Sequence, residues 1–175
     1  DGVYSVESHG LKQHAVLFRV AHLRCEPEVP LHPTPPSSDG TVALGSTAFT
    51  KYGKSMAFPV SAPGPDWMEI YVMDTKTKAL LKDHIKWVKF SGASWKPDGS
   101  GFYYSRYDEP AKGSELSGQN QFQKVYFHKL GDDQSRDRLV YSDPKHPLRY
   151  FSAGESSDGK YVFVYGSEGT SGTEI

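Results

Sequence analysis

Residues 93–106, ASWKPDGSGFYYSR, decide the fold prediction because they contain every feature of one β-hairpin. A short strand runs into a polar tetrad that ends at Gly99, and an aromatic strand with alternating apolar residues follows. The Asp98-Gly99 pair favours a tight primed turn, since both residues tolerate a positive φ. The segment therefore predicts two antiparallel strands joined by that turn.

The same order of features occurs in AFTKYGKSMAFPVS at 48–61 and in AGESSDGKYVFVYGS at 153–167. The turn glycines Gly53 and Gly99 are separated by one period of about 40 to 50 residues, which is typical of β-propeller blades. A longer interval leads to Gly159, because a polar loop is inserted between the two repeats. The sequence therefore contains internal repeats of one all-β unit.

Further strands follow each hairpin and complete the repeat. Third strands are predicted at 68–74, 123–130 and 173–175, and fourth strands at WVKF (87–90) and RLVYSD (138–143). The segment KTKALLKDHIKW (76–87) has some helical character, but its position between strands favours a loop or strand. Each full repeat thus holds about four strands.

These patterns predict an all-β protein, a β-propeller fragment with about two complete four-stranded antiparallel blades and two partial blades. We expect the end of an earlier blade at 1–31, a proline-rich connection at 32–47, blades at 48–90 and 91–143, and an incomplete blade at 144–175. The last residues match the start of a third strand, so we expect the chain to be a piece of a larger propeller. Open sheet edges in such a piece predict self-association.

Composition excludes several classes of function. The chain has 20 basic and 21 acidic side chains and no run of like charge, which argues against nucleic-acid binding. No apolar run approaches the roughly 18 residues of a membrane span, so no membrane partner is expected. The single cysteine, Cys25, cannot form an intramolecular disulfide and is interpreted as a small buried hydrophobe.

Motifs for catalysis and cofactors are missing from the sequence. No two glycines are four residues apart, so the G-x-S-x-G elbow of an α/β-hydrolase is absent, and neither a P-loop nor G-x-G-x-x-G occurs. His9, His14, His22 and His32 lie near Cys25 in the chain, but their spacing matches no zinc motif. We therefore predict no catalytic residue, no metal site and no cofactor in these residues.

The order of the sequence segments resembles the propeller of prolyl oligopeptidase, and of its bacterial members most closely. The resemblance is carried by GLKQHAVLF (10–18), SSDGTVALGSTAFTKYGKSMAF (37–58), SAPGPDWMEIYVMD (61–74), WVKFSGASWKPDGSGFYYSRY (87–107), QKVYFHKLGDDQSRDRLVY (123–141) and HPLRYFSAGESSDGKYVFV (146–164). It is weakest across the proline-rich stretch at 19–36.

The resemblance implies a seven-bladed propeller inserted between an N-terminal segment and a C-terminal α/β-hydrolase domain, neither of which lies in these residues. It implies a serine endopeptidase that cleaves proline-containing oligopeptides after proline, with a Ser-Asp-His triad on the hydrolase domain of the same parent chain. The propeller would restrict access to the active site and add to the substrate pocket. The implied location is the cytoplasm, with a bacterial periplasm as the alternative.

The resemblance also implies site residues. Phe90 matches the family phenylalanine that faces the active-site cavity and lines the pocket for a residue upstream of the proline. Other cavity-facing family positions fall near Tyr150, Ser167 and Thr170, where the residue types differ. For Phe90, Trp95, Phe102, Tyr104 and Tyr126 the competing interpretation is burial in the blades.

Two other functions stay open at this point. A non-enzymatic propeller would bind a protein or peptide partner through the loops of one face, and its parent would continue only with further blades. A related dipeptidyl peptidase or oligopeptidase B-like enzyme would share the architecture and differ in specificity. The sequence following Ile175 distinguishes the first alternative, since a peptidase must continue into a G-x-S-x-G elbow.

Overall fold

A computed structural model describes residues 3–7, 16–20, 28–31, 46–61, 66–113, 120–169 and 173–174 of the chain. Its regular elements are mostly strands, and a short 3-10 helix at Gln134–Arg136 lies between the tenth and eleventh strands. The strands are β1 (Val3–Glu7), β2 (Val16–Val20), β3 (Glu28–Leu31), β4 (Ala48–Phe49), β5 (Ser55–Ser61), β6 (Met68–Asp74), β7 (Leu80–Val88), β8 (Ser94–Trp95), β9 (Gly101–Arg106), β10 (Lys124–Lys129), β11 (Arg138–Ser142), β12 (Tyr150–Glu155), β13 (Val162–Ser167) and β14 (Thr173–Glu174).

Consecutive strands pair antiparallel and form four meanders. β1, β2 and β3 form one sheet, and β12, β13 and β14 form another. Between them, β4 to β7 and β8 to β11 are two four-stranded meanders, joined into one sheet where Val88 pairs with Arg106. Two complete and two partial blades are the predicted β-propeller arrangement, and the all-β fold class is confirmed.

Alternating side chains place apolar clusters on opposite faces of the blades, because successive residues of a strand point to opposite sides. One cluster joins β5, β6 and β7 to β9 across the two complete blades and contains Ala57, Ile70, Val72, Ile85, Val88, Phe102 and Tyr104. On the other face of β9, Tyr103 packs with Val125 of β10 and with Phe151 and Ala153 of β12, the first strand of the following blade. β9 is therefore buried on both faces, as a strand between neighbouring blades must be.

The structure corrects the bounds of one strand and the type of two turns. The predicted strand at 87–90 is wrong: β7 begins at Leu80 and ends at Val88, so most of 76–87 is strand and Phe90 lies beyond it. Phe90 has a φ of 55°, so the backbone is no longer extended beyond the end of β7.

The two Asp-Gly turns are not primed turns. Gly99 and Gly159 have φ of 71° and 72°, but the aspartates before them are absent from the described residues with positive φ. The Asp98 carboxylate instead accepts a hydrogen bond from the Ser100 amide at 2.9 Å, so the aspartate stabilises the turn through its side chain. Only the glycine needs the left-handed conformation.

No helix in the described part of the chain has the length and apolar character needed to cross a membrane.

Candidate functional site

The connection from β7 to β8 brings an aromatic side chain to the surface. Phe90 is 58% exposed, although it follows the buried Val88 and Lys89. Its φ of 55° is unfavourable for a residue with a bulky side chain, so the surrounding contacts must maintain it. The competing interpretation, burial in the blade core, is therefore wrong for Phe90, whereas Phe102 and Tyr104 are buried as that interpretation expects.

The buried amide of Gln123 fixes this connection to the next blade. Its Nε2 donates to the Lys89 carbonyl at 2.8 Å, and its Oε1 accepts from the Phe151 amide at 2.6 Å. One side chain thus joins the backbone before Phe90 to the start of strand β12. Because both hydrogen bonds are buried, removing either would leave an unsatisfied polar group.

Tyr150 stands beside Phe90 as a result. The two rings make an edge-to-face contact, with centroids 5.1 Å apart and planes at 73°. Tyr150 begins β12 and is the register partner of Ser167 on β13. Directly opposed residues of an antiparallel pair share a face, so Ser167 lies beside Tyr150, whose ring in turn contacts Phe90. Thr170, the fourth residue implied by the resemblance, lies outside the described residues.

A second layer of aromatic side chains lies behind Phe90. The indole of Trp67 is buried and makes edge-to-face contacts with Trp87 and Tyr107, at centroid distances of 5.6 and 6.2 Å. The Lys89 ammonium lies 4.8 Å from the Trp67 ring centre and 5.9 Å from that of Phe90. Burial raises the pKa of Tyr107 to about 12, with a further contribution from Tyr150.

An open cavity of about 600 Å³ borders this surface. Its lining residues come from the segment before β4, the end of β5, the start of β6 and the β7–β8 connection, and they are Ser46, Pro59, Ser61, Asp66, Trp67, Met68, Phe90, Ser91 and Gly92. Its volume lies within the range of small-ligand and peptide-residue pockets. Phe90 is thus an exposed apolar wall between this cavity and Tyr150.

Nothing in the described residues forms a metal site, because no group of three or more His, Cys, Asp or Glu side chains is close enough to hold an ion. The candidates His9, His14, His22, His32 and Cys25 lie outside those residues.

Sequence reasoning missed one buried polar cluster. His128 on β10 lies between two carboxylates, with Nδ1 2.7 Å from Asp137 and Nε2 2.9 Å from Asp83. Tyr104 donates its hydroxyl proton to Asp137 at 2.7 Å. All four side chains are buried, so the cluster has no access to substrate and joins β7 of one blade to β9 and β10 of the next. The available signal was the alternation in VYFH, which places His128 on the same strand face as Tyr126.

Comparison with known proteins gives a consistent result. A family model described as prolyl oligopeptidase, N-terminal beta-propeller domain, matches residues 2–175. A prolyl endopeptidase of Elizabethkingia meningoseptica is 41% identical over 172 residues, which are 98% of this chain and 24% of the relative. Prolyl oligopeptidase A of Amanita bisporigera is 38% identical over 154 residues, covering 77% of this chain and 20% of the relative.

Solved structures agree in fold. Prolyl oligopeptidase B of Galerina marginata, bound to a 35mer hydrolysis and macrocyclization substrate, superposes with a TM-score of 0.82 at 29% identity over 94% of this chain and 26% of that one. The same enzyme as apo protein gives 0.79 at 30% identity over 97% of this chain and 26% of that one. The chain thus spans about a quarter of the length of the relatives it matches.

Proposed function

The chain belongs to the prolyl oligopeptidase family as part of its N-terminal β-propeller domain, and from that premise we propose that it serves a serine endopeptidase cleaving proline-containing oligopeptides after proline. The propeller restricts access of large substrates and supplies part of the peptide pocket. The observation that supports this best is the exposed Phe90 ring, fixed against Tyr150 beside an open cavity of about 600 Å³.

Phe90 has the properties of a wall for a substrate side chain. Exposing a phenylalanine at positive φ is unfavourable for the propeller alone, and such unfavourable conformations are concentrated at functional sites. The hydrogen bonds of Gln123 hold the backbone before it in place without substrate. A preformed apolar surface binds with little loss of side-chain entropy, which favours a peptide residue upstream of the proline.

The chemistry of peptide-bond cleavage is assigned to the α/β-hydrolase domain of the same parent chain. A Ser-Asp-His triad needs a nucleophile held at a strained elbow and a histidine exposed to it. The sequence has no such elbow, and the buried His128 cluster cannot fill that role. The propeller therefore contributes binding and gating, and the hydrolase domain contributes the nucleophile.

Substituting Phe90→Ala in the parent peptidase tests this function. We expect kcat/KM to fall about tenfold, mainly through a higher KM, for peptides with a large apolar residue upstream of proline, because the lost wall binds ground and transition states alike. Peptides with glycine at that position should change little. Tyr52→Ala, an exposed aromatic substitution in the β4–β5 turn, is the matched control and should leave both constants unchanged.

Two results would contradict the proposal. Unchanged kcat/KM for every peptide in Phe90→Ala would remove Phe90 from the pocket. A parent protein that cleaves no proline-containing peptide would remove the activity itself and favour a non-enzymatic propeller.

A further inference from the structure

Within the described residues, the Lys89 ammonium has no anionic partner. Lys89 is only 6% exposed, so its stem is fixed by the surrounding aromatic side chains. Among the residues that the structure describes, its Nζ donates no hydrogen bond and is absent from every ion pair; its contacts are the ring faces of Trp67 and Phe90. A buried cation without a carboxylate is unusual, because removing a charge from water is costly unless the charge is paired.

The ammonium nevertheless remains open to an incoming group. In the described part of the chain, two side-chain polar atoms, Thr47 Oγ1 and Arg106 Nε, are fully buried and have no hydrogen-bond partner. Lys89 Nζ is not one of them, and because it also has no hydrogen-bond partner, it must keep some contact with solvent. Asp66 lines the same cavity as Trp67 and Phe90, but it is exposed and forms no ion pair with Lys89. The site is therefore a fixed cation beside Trp67 and Phe90, the two aromatic side chains that line the cavity.

From these contacts we infer that Lys89 recognises a carboxylate of the bound peptide, carried by a Glu or Asp side chain on the N-terminal side of the proline. The inference rests on the proposed function, because it places the peptide against Phe90. A residue bound at the Phe90 ring lies next to the ammonium, whose distance to the ring centre is 5.9 Å. A carboxylate from the peptide would complete a charge-assisted hydrogen bond at this partly desolvated site.

The cation is prepared for this role before the peptide arrives. The Trp67 ring face at 4.8 Å offsets part of the lost hydration through a cation–π contact, but it satisfies none of the three ammonium donors. An amide or hydroxyl on the peptide would accept one hydrogen bond without neutralising the charge. Acidic residues are therefore preferred over their neutral isosteres, and basic residues are disfavoured at the same position.

The experiment compares peptides in the parent peptidase. Each peptide has a single proline and carries Glu, Gln or Lys, in turn, at each of the three positions before it. In the wild type we expect about a tenfold preference for Glu over Gln in kcat/KM at one position, expressed mainly in KM. The preference should shrink at high salt, because screening weakens partly exposed ion pairs.

Substitution then assigns the preference to Lys89. In Lys89→Met, and in Lys89→Gln as a second variant, the Glu to Gln ratio should fall to about one while cleavage of the Gln peptides continues. Lys129→Met, an exposed lysine on β10, is the matched control and should keep the wild-type ratio.

Failure of this inference is distinguishable from failure of the proposed function. A wild-type ratio of one at all three positions overturns the inference even if neither variant folds, and proline-specific cleavage would then still support the function. An equal loss for acidic and neutral peptides in Lys89→Met also overturns it, because the ammonium would then pair with another part of the parent. Absence of proline-specific cleavage would instead remove the function on which the inference rests.

Discussion

At the scale of single residues, His128 shows how a charge can be stabilising inside a propeller. Burial acts to lower the pKa of His128, but its hydrogen bonds to Asp137 and Asp83 dominate and raise it to about 9. The imidazolium therefore stays charged at neutral pH and neutralises part of two buried carboxylates. Because Asp83 lies on β7 and His128 on β10, this ion cluster joins neighbouring blades.

Removing that cation is expected to destabilise the blade junction. His128→Gln would leave two buried carboxylates without their positive partner, a change that typically costs about 3–5 kcal/mol. Urea unfolding of the parent protein would measure it. His146→Gln, which removes a surface histidine bonded to Asp143, is the control and should change the midpoint little. Equal midpoints for His128→Gln and wild type would contradict a stabilising role of the cluster.

The same residue predicts a pH dependence with a definite sign. Its pKa is about 9 in the folded protein and 6.5 in the unfolded chain, so between these values the folded state retains a proton that the unfolded state has released. The His128 contribution to stability is complete below pH 6.5 and is lost as the pH rises through 9. Urea midpoints should fall across this window in wild type and fall less in His128→Gln. Parallel profiles for the two proteins would contradict the assignment.

Phe90 and His128 mark the limit of prediction from sequence at this scale. Nothing local in Val-Lys-Phe-Ser reveals a positive φ at Phe90, so its exposure could be proposed only from the family resemblance. The His128 cluster depends on Asp83 and Asp137, which are distant in the chain and meet only when two blades pack. Long-range pairing of this kind leaves no spacing motif in one sequence.

At the scale of elements, the hairpin formed by β9 and β10 requires a close approach of the two backbones. Gly101 is the register partner of Lys129, and a Cβ at Gly101 would collide with the His128 carbonyl oxygen and the Phe127 ring. The two strands cannot move apart to make room for this Cβ without losing hydrogen bonds between them. The glycine here is required by space, and its φ is not in the left-handed region.

Substituting Gly101→Ala should therefore loosen this hairpin. We expect a destabilisation of about 1–3 kcal/mol or more from overpacking, and faster amide exchange in β9 and β10. Hydrogen exchange of the parent protein, read by mass spectrometry, would locate the change. Gly92→Ala is the matched control because its added Cβ meets only ordinary contacts, the nearest at 3.6 Å. Unchanged exchange in Gly101→Ala would show that the backbones can separate without penalty.

Elements were largely predictable because their signals are local. The turn glycines and the alternation after them predicted β5, β9 and β13 correctly, since both features act within a few residues. The start of β7 was harder to predict, because its strand carries Lys82, Asp83, His84 and Lys86 among the apolar residues. Lys82 and Lys86 face solvent, whereas Asp83 and His84 form hydrogen bonds in polar clusters. The alternation of apolar and polar residues that marks a strand is therefore obscured.

At the scale of the whole molecule, the candidate site is formed by residues from consecutive blades that pack against each other. Phe90 follows the last strand of one blade, Gln123 precedes the third strand of the next, and Tyr150 begins the blade after that. Three blades therefore contribute to one surface, as a propeller face allows. On the incomplete blade, β13 exposes Tyr165, Phe163 and Val162, and self-association of the isolated chain through such a surface stays a prediction.

Photocrosslinking would report directly where a bound peptide lies on the propeller. A proline peptide with benzoylphenylalanine two residues upstream of the proline would be bound to the parent peptidase, irradiated, and mapped by mass spectrometry. We expect adducts on Phe90, Tyr150 or their immediate chain neighbours, which an excess of unlabelled peptide suppresses. Competed adducts confined to regions outside these blades would contradict the claim that this propeller surface forms part of the peptide pocket.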